Sequence, residues 1–398
     1  MSDTTVFSRQ KLILRVMYWM LKPFALFARR IDWVVGPEDI ALMATNIASA
    51  LPRSYTAIHA RNRFYDVPYD AVIQTTSTAL GGRWATWRRL YGGPILLAWL
   101  ANRARGFIYV GGGAFLEGHH DERDFEFTFL RRHRRRLVCY FTGNDIRSPK
   151  LMAELAARTG RPNLGTRLLE VDPLFATDAY DESRRLRADV ADRHAEVIFN
   201  ARNDQLSYLR SPTHPFLYFH PDEQFAPRSA TFDDLSTIVI VHAPSSPVLK
   251  GTDAVRAAMA RITAAHPHVE YRELIGVPHS EVLAALDEAH IALNEFYSSV
   301  PGVFGVEAMA RRCVVVTSAS ADDEPDLGVE SRGAWVVADV DSLHDAVAGL
   351  LEHPQALAAQ ADRGWEWART HASASASRAA MRAALQAPAA VVREADRA

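Results

Sequence analysis

Short apolar runs alternate with helix-like segments along most of the chain, and this alternation constrains the fold more than any other feature. Most runs are rich in valine, isoleucine or aromatic residues. Buried strands separated by helices form parallel sheets, because a parallel pair needs a crossover connection. The predicted strands are residues 31–35, 55–59, 107–110, 137–141, 196–200, 237–241, 269–274, 291–293, 314–317 and 334–337. The sequence therefore predicts an α/β protein.

The chain has 398 residues, a length that suggests two domains or three. Residues 211–228 are rich in proline, histidine and aromatic residues and lack periodicity, which indicates a linker between two series of strand–helix units. We predict an N-terminal Rossmann-like domain at 1–212 and a second at 213–370. A C-terminal helix and tail follow at 371–398. In such folds, ligands bind at the carboxyl ends of the strands.

Two helix starts are predicted from capping signals. Gly36-Pro37-Glu38 has proline and an early acid, which favours a helix from there to about residue 51. Ser280, with Glu281 behind it, is expected to cap a helix that ends near residue 289.

Composition and charge exclude several classes of function. The formal net charge of −2 argues against a nucleic-acid binder. The two cysteines, Cys139 and Cys313, lie in apolar contexts that fit a reducing cytosol. The segments His119-His120-Asp121-Glu122 and Asp322-Asp323-Glu324 contain metal-ligand residue types. The histidines lack the spacing of a closed zinc site, and the acids lie in a Ser/Ala-rich loop. We expect no metal and no cofactor.

The N-terminal segment is apolar and aromatic, with basic residues interspersed. Residues 12–28 are interrupted by charge and by proline, so the stretch is too short and too charged to span a bilayer. The segment suits a helix lying on an anionic membrane face, or a helix packed against its own domain. The basic residues are Lys11, Arg15, Lys22, Arg29 and Arg30, and the aromatic ones are Trp19, Phe24 and Phe27.

The block Gly302–Ala310, together with Lys250, is the most informative motif for function. A glycine-bearing turn opens a helix, and Glu307 is expected in its first turn. Free amides at a helix N-terminus attract phosphate, a carboxylate can accept hydrogen bonds from a ribose diol, and a lysine adds charge. Taken singly, Lys250 could be a solvated lysine and Glu307 an acid serving the helix dipole. Together they predict a nucleotide-diphosphate pocket.

This constellation resembles that of the GT-B glycosyltransferases, in particular the retaining family-4 enzymes of bacterial cell-surface polysaccharide assembly. The resemblance implies two Rossmann-like domains facing across a cleft, with the C-terminal helix returning to the N-terminal domain. It implies that Lys250 contacts the donor phosphates and Glu307 the ribose. The residues that carry it, or that it places at the donor, are His242, Lys250, Gly276, Val277, Ser299, Gly302, Val303, Phe304 and Glu307.

The sequence also departs from the family pattern. Many members have a glutamate eight positions before Glu307, where it touches the donor sugar, and this chain has Ser299 there. Ser245 replaces an arginine that usually lies five residues before the lysine. Glu295, in the Asn294-Glu295 pair, could supply the missing sugar contact, so we assign it a catalytic role.

In the N-terminal half, residues 141–147 resemble a segment of the same subgroup. Asp145 and Arg147 could contact sugar or acceptor, and they are our further catalytic candidates. An Asp–Arg pair closing a loop is the alternative. Loops expected to face the cleft contain Gly36, Gly111, Gly112, Gly113 and Asn144.

The resemblance therefore implies a glycosyltransferase that moves a sugar from a nucleotide-diphosphate donor to a hydroxyl acceptor, with retention of configuration. The acceptor would be a saccharide or a lipid-linked saccharide, in surface polysaccharide or glycolipid synthesis. The protein would act in the cytoplasm or at the inner face of the membrane, with peripheral membrane contact. Two alternatives stay open: a sugar-nucleotide epimerase of the same fold, and a non-catalytic sugar-nucleotide-binding partner.

Overall fold

Two parallel β-sheets organise the molecule. The computed structural model describes residues 3–61, 67–74, 83–117, 121–225 and 230–386. The first sheet has the strand order β3-β2-β1-β4-β5-β6 and the second β11-β10-β9-β7-β8, with all neighbours parallel. The first sheet contains β1 Ile31–Pro37, β2 Ser54–Ala60, β3 Ala71–Gln74, β4 Ala104–Val110, β5 Arg136–Tyr140 and β6 Val197–Phe199. The second contains β7 Ile238–His242, β8 Val269–Glu273, β9 Ile291–Leu293, β10 Val314–Thr317 and β11 Val336–Val337.

Helices connect the strands and cover both sheets, as crossover connections require. Their sequences show why they start and stop. In α5, for example, Ser148 accepts a hydrogen bond from the Leu151 amide, Pro149 opens the helix, and Gly160 ends it in a left-handed conformation. The first-domain helices are α1 Asp3–Ala25, α2 Met43–Ala50, α3 Arg83–Arg103, α4 Asp124–Arg132, α5 Pro149–Thr159, α6 Leu164–Val171 and α7 Asp178–His194. The later helices are α8 Pro247–Lys250, α9 Thr252–Ala265, α10 His279–Glu288, α11 Gly302–Ala310, α12 Leu343–Glu352, α13 Leu357–Trp367 and α14 Ala374–Gln386.

The C-terminal helix returns to the first domain, as predicted. Met381 of α14 is fully buried in the same apolar cluster as Met43 and Ile47 of α2 and Val35 of β1. Burying one such side chain contributes about 1.5–3 kcal/mol. The last helix therefore belongs to the core on one face of the first sheet, while α1, α3, α4 and α7 cover the other face.

Two predicted helix starts are wrong. Gly36 and Pro37 continue β1, in register with Tyr109 and Val110 of β4, and α2 begins only at Met43. Pro37 is the last residue of its strand, where the lost N–H costs little. The second error concerns α10: Pro278 occupies the N-cap position that we assigned to Ser280. His119 and His120 lie outside the described residues.

Each sheet has a topological switch point, where the chain leaves in opposite directions from two adjacent strands. In the first sheet it lies between β1 and β4, and in the second between β7 and β9. The crevice beyond the carboxyl ends of such strands is where open α/β sheets bind ligands. A ligand site is therefore expected among the loops that follow these four strands.

Candidate functional site

Helix α11 begins without a side-chain cap in the described part of the chain. Its first residue, Gly302, has φ +63°, a conformation that glycine adopts without strain. The Asn294 side chain donates to the Pro301 carbonyl oxygen over 2.6 Å and fixes the turn. Pro301, at the N-cap position, has no side-chain acceptor for the first-turn amides, and amides at such a helix start attract anions. Glu307 lies in the second turn, because the helix starts earlier than we predicted.

Lys250 and Glu295 form an ion pair at the switch point of the second sheet. Lys250 ends α8 after β7, and Glu295 follows β9. Glu295 is only 5% exposed, and its Oε1 lies 2.5 Å from where a β-carbon on Gly302 would be. The pair therefore lies directly beside the start of α11, which brings the predicted lysine and glycine turn together.

Glu307 is held by His279. The distance from His279 Nε2 to Glu307 Oε1 is 2.8 Å, and Glu307 is 8% exposed. The loop before His279 contains Gly276 at φ +70°, and both Gly276 and Ile275 are exposed. The second carboxylate oxygen of Glu307 and the exposed loop backbone give a polar edge next to α11.

A small cavity of about 60 Å³ lies between the domains at this edge. His220 lines it, and burial lowers the pKa of that imidazole to about 4, so the ring is neutral at pH 7. The cavity connects the carboxylate of Glu307 to first-domain side chains. Its other lining residues include Leu42, Asn46, Tyr218, His279 and Val303.

A larger opening of about 530 Å³ lies beside the segment Phe296–Ser299, which follows β9. Its volume is in the range of small-molecule sites. Both domains contribute to its wall. The lining residues include Gly160 and Asn203 of the first domain and Ser298, Ser299, Ser318 and Ser342 of the second. Ser299 therefore faces the opening.

Asp204 joins the two domains through one carboxylate. Its Oδ2 accepts from Arg147 over 2.7 Å, and its Oδ1 accepts from the Ser298 hydroxyl and the Ser299 amide over 2.6 and 2.9 Å. Arg147 is 4% exposed and also donates to the Asp204 carbonyl oxygen. The structure thus places Arg147 behind the cleft wall, where it positions Asp204.

Asp145 closes its own loop. Its carboxylate accepts from the amides of Thr142 and Gly143. The neighbouring Asn144 accepts from Arg147 through its side chain. Asp145 and Arg147 thus have different partners. The Asp–Arg pair that the sequence allowed does not form between their side chains, because Asp145 binds backbone amides and Arg147 binds Asp204.

The Glu38 carboxylate binds the glycine loop, Gly111–Gly113, which follows β4. Its Oε2 accepts from the amides of Gly112 and Gly113 over 2.9 and 3.0 Å. Gly111, at φ +73°, has no room for a β-carbon beside this carboxylate. The switch-point loops after β1 and β4 are therefore joined by Glu38, and Gly36 lies below them within β1.

His242 lies beneath the site. Its ring is fully buried, and its two nitrogens lie 2.8 Å from the Leu293 carbonyl oxygen and 3.0 Å from the Thr252 hydroxyl. The sequence placed His242 among the donor-binding residues. In the structure its side chain instead ties β7 to β9 and α9, because both nitrogens are engaged inside the core.

The three acidic side chains of residues 322–324 have separate partners. Asp322 pairs with Arg332, Asp323 with Arg161, and Glu324 accepts from the amides of Asn203 and Asp204. Within the described ranges, no three His, Cys, Asp or Glu side chains lie together as metal ligands would. The cysteines are buried, and burial raises the pKa of Cys139 to about 11 and of Cys313 to about 12.

Sequence reasoning placed the segment Gly36-Pro37-Glu38 at the cleft but missed the contact of Glu38 with Gly112 and Gly113, and it missed Asp204 and Glu324 as parts of the cleft. Asp204 follows the predicted strand 196–200, and polar residues after a buried strand were the available signal. The bonds from Glu38 to Gly112, from Ser298 to Asp204 and from Asn203 to Glu324 each join residues more than seventy positions apart, so only the folded chain shows them.

A scan against protein-family models and a search of curated proteins each give no match. Solved structures match the fold. Sucrose-phosphate synthase from Thermosynechococcus elongatus has TM-score 0.58 at 12% identity, over 89% of this chain and 98% of that one. HepE of Anabaena, solved in complex with UDP-glucose, has TM-score 0.56 at 12% identity, over 90% and 99%. TarM has TM-score 0.50 at 10% identity, over 74% and 58%. The chain therefore has the GT-B fold of these proteins, with two parallel-sheet domains facing across a cleft.

Proposed function

We propose that this protein is a glycosyltransferase that moves a sugar from a nucleoside-diphosphate donor to a hydroxyl acceptor, in the assembly of a surface polysaccharide or glycolipid. The observation that carries the proposal is the convergence of Lys250, Glu307 and the uncapped start of α11 at one crevice. That crevice lies at a switch point and faces a second α/β domain. The GT-B neighbours support it, one of which was solved with UDP-glucose.

The diphosphate would bind at the amides of Val303 and Phe304 and at Lys250. When the bond from the anomeric carbon to phosphate breaks, negative charge develops on the leaving diphosphate. Fixed amides and an ammonium stabilise that charge without reorganising. Lys250 is already oriented by Glu295, so binding exchanges a carboxylate partner for a phosphate.

The nucleoside would lie on the Glu307 side of α11. Glu307 would accept from the ribose hydroxyls, with His279 holding the carboxylate. The exposed backbone around Gly276 and Val277 would contact the base. A cavity of about 60 Å³ is too small for a nucleoside, so Leu42 and Asn46 of the first domain must move away from Val303. Domain closure over the donor then excludes water and limits hydrolysis.

The donor sugar would extend towards Ser299 and the larger opening, where the acceptor has space to enter. The acceptor oxygen forms the new bond to the anomeric carbon, the old bond to phosphate breaks, and the hydroxyl proton leaves with the diphosphate. Glu295 is the carboxylate beside Gly302 that could contact the sugar. Retention is the expected outcome from the family resemblance, and no metal or cofactor is needed.

The test is a reaction screen with UDP-, GDP-, ADP- and dTDP-sugars, each with saccharide and lipid-linked acceptors. Release of nucleoside diphosphate that depends on acceptor, with a product heavier by one sugar, supports the proposal. Inversion of a sugar carbon without acceptor identifies an epimerase, and binding without turnover identifies a non-catalytic partner. Either outcome overturns it. Lys250→Ala should abolish release, and Lys150→Ala, at an exposed lysine of α5, is the matched control.

A further inference from the structure

Helix α1 has two apolar faces, and only one is covered. Phe7, Leu14 and Tyr18 are buried against the first domain, where α1 packs along α3. A second set of apolar side chains points away from the domain. On α1 these are Leu12, Val16, Trp19, Met20 and Phe24, which are 47–66% exposed, and they are continued just after the helix by Leu26 and Phe27, which are 80% and 93% exposed.

The charge of this region is strongly positive. Residues 3–30 contain six basic residues and one acid, in a chain whose formal net charge is −2. Helix α3 contains four arginines and no acidic residue. The Lys22 ammonium lies 4.6 Å from the Trp19 ring centroid, and the Arg103 guanidinium lies 4.9 Å from that of Trp99. Basic groups therefore border the exposed apolar side chains.

An open apolar groove of about 550 Å³ continues this face onto α3. Leu21 of α1 forms one side of it. Helix α3 forms the rest, with the aromatic and aliphatic side chains of Trp87, Tyr91, Ile95, Leu96 and Trp99 beside Arg88 and Gly92. Tryptophan and tyrosine are the residues enriched where a membrane meets water.

We propose that α1 and the groove on α3 form a docking surface for an anionic membrane. The helix would lie in the plane of the interface, with Trp19, Phe24 and Phe27 among the acyl chains and the basic residues among the headgroups. The groove would receive the end of an acyl chain. No helix in the described ranges is long and apolar enough to cross a bilayer. Charge selects this occupant, because an apolar face bordered by cations matches anionic lipid. This docking surface is formed by α1 and α3 and does not depend on the proposed function.

The experiment is co-sedimentation of the full chain with vesicles of phosphatidylcholine alone or with 30% phosphatidylglycerol. We expect binding to the anionic vesicles at least tenfold stronger than to the neutral ones. The variant Trp19→Ser/Phe24→Ser/Phe27→Ser should weaken it at least tenfold. The matched control is Val171→Ser/Leu174→Ser/Val329→Ser, three exposed apolar residues away from α1, and it should bind like the wild type.

Charge and folding are tested separately. Lys22→Gln/Arg29→Gln/Arg30→Gln should remove the preference for anionic vesicles. Circular dichroism and melting temperature should match the wild type for every variant, because each changed side chain is exposed. Equal sedimentation of the wild type and the aromatic variant overturns the proposal. A wild type that does not bind vesicles also overturns it. If, in addition, analytical ultracentrifugation shows a dimer that the aromatic variant abolishes, the exposed face binds a second copy of the chain and not a membrane.

Discussion

Glu295 and Lys250 form an ion pair across a separation of 45 residues, and the carboxylate lies against the first residue of α11. The pair places one negative charge where we propose that a diphosphate binds. Glu295→Gln should therefore raise the affinity for free nucleoside diphosphate several-fold, since like-charge repulsion is removed. The same variant should lower sugar transfer at least tenfold. Isothermal titration and turnover assays measure the two effects, and a loss of diphosphate affinity would contradict this role of Glu295.

Gly302→Ala tests how closely the turn fits Glu295. The β-carbon would lie 2.5 Å from Glu295 Oε1 and would force alanine to φ +63°. Backbone strain of this kind costs about 1–3 kcal/mol, and displacement of the Lys250–Glu295 pair should weaken donor binding as well. Gly333→Ala is the control, because Gly333 has φ +77° and open space around it. It should lower the free energy of unfolding similarly and leave donor affinity unchanged.

Asp204→Asn should destabilise the protein by about 3–5 kcal/mol, because it leaves the buried guanidinium of Arg147 without its counter-charge. Urea unfolding measures the change. Ser298→Ala removes one hydrogen bond to the same carboxylate and should cost only about 1 kcal/mol. Asp253→Asn, at an almost fully exposed carboxylate, should have no measurable effect. Equal stabilities of the Asp204 and Asp253 variants would show that Asp204 does not hold the domains together.

Glu324 should make stability depend on pH. Burial, together with the nearby Asp204 and Asp326 carboxylates, raises the pKa of Glu324 from 4.5 to about 7. Between pH 4.5 and 7 the folded state holds a proton that the unfolded state has lost, so the contribution of Glu324 to the free energy of unfolding falls as pH rises. The Glu324→Gln variant does not titrate at this position, so its free energy of unfolding should rise relative to that of the wild type by up to about 3 kcal/mol across that window. Urea unfolding at pH 4.5, 6 and 8 tests this, and a difference between the two proteins that does not change with pH would contradict it.

The parts of the site that depend on local sequence could be predicted. Gly302 and Glu307 could be found because they belong to one strand–helix unit, and Lys250 because it lies at the helix start of an earlier unit of the same kind. The structure places Lys250 and its partner Glu295 beside the start of α11, although this helix starts earlier than we predicted and Glu307 lies in its second turn. The strands of both sheets were also predictable, because buried parallel strands are continuous apolar runs. The short edge strand β3 was missed.

The parts that depend on distant partners could not be predicted. The resemblance placed His242 among the donor-binding residues, but its ring is fully buried at the end of β7, and burial cannot be read from the sequence. Pro37 carried a helix-start signal, yet pairing of β1 with β4 extends the strand through it. The contacts of Asp204 with the Ser298–Ser299 segment and of Glu38 with the glycine loop join elements that only the tertiary structure makes neighbours.

The most direct test of the account is donor binding at the start of α11. Isothermal titration of the wild type with UDP, GDP, ADP and dTDP should find at least one nucleoside diphosphate that binds. Lys250→Ala and Glu307→Ala should each weaken that ligand about tenfold to a hundredfold, since a hydrogen bond to a charged group contributes about 1.5–3 kcal/mol. Lys150→Ala should bind like the wild type. Unchanged affinity in both the Lys250 and the Glu307 variants would contradict the account.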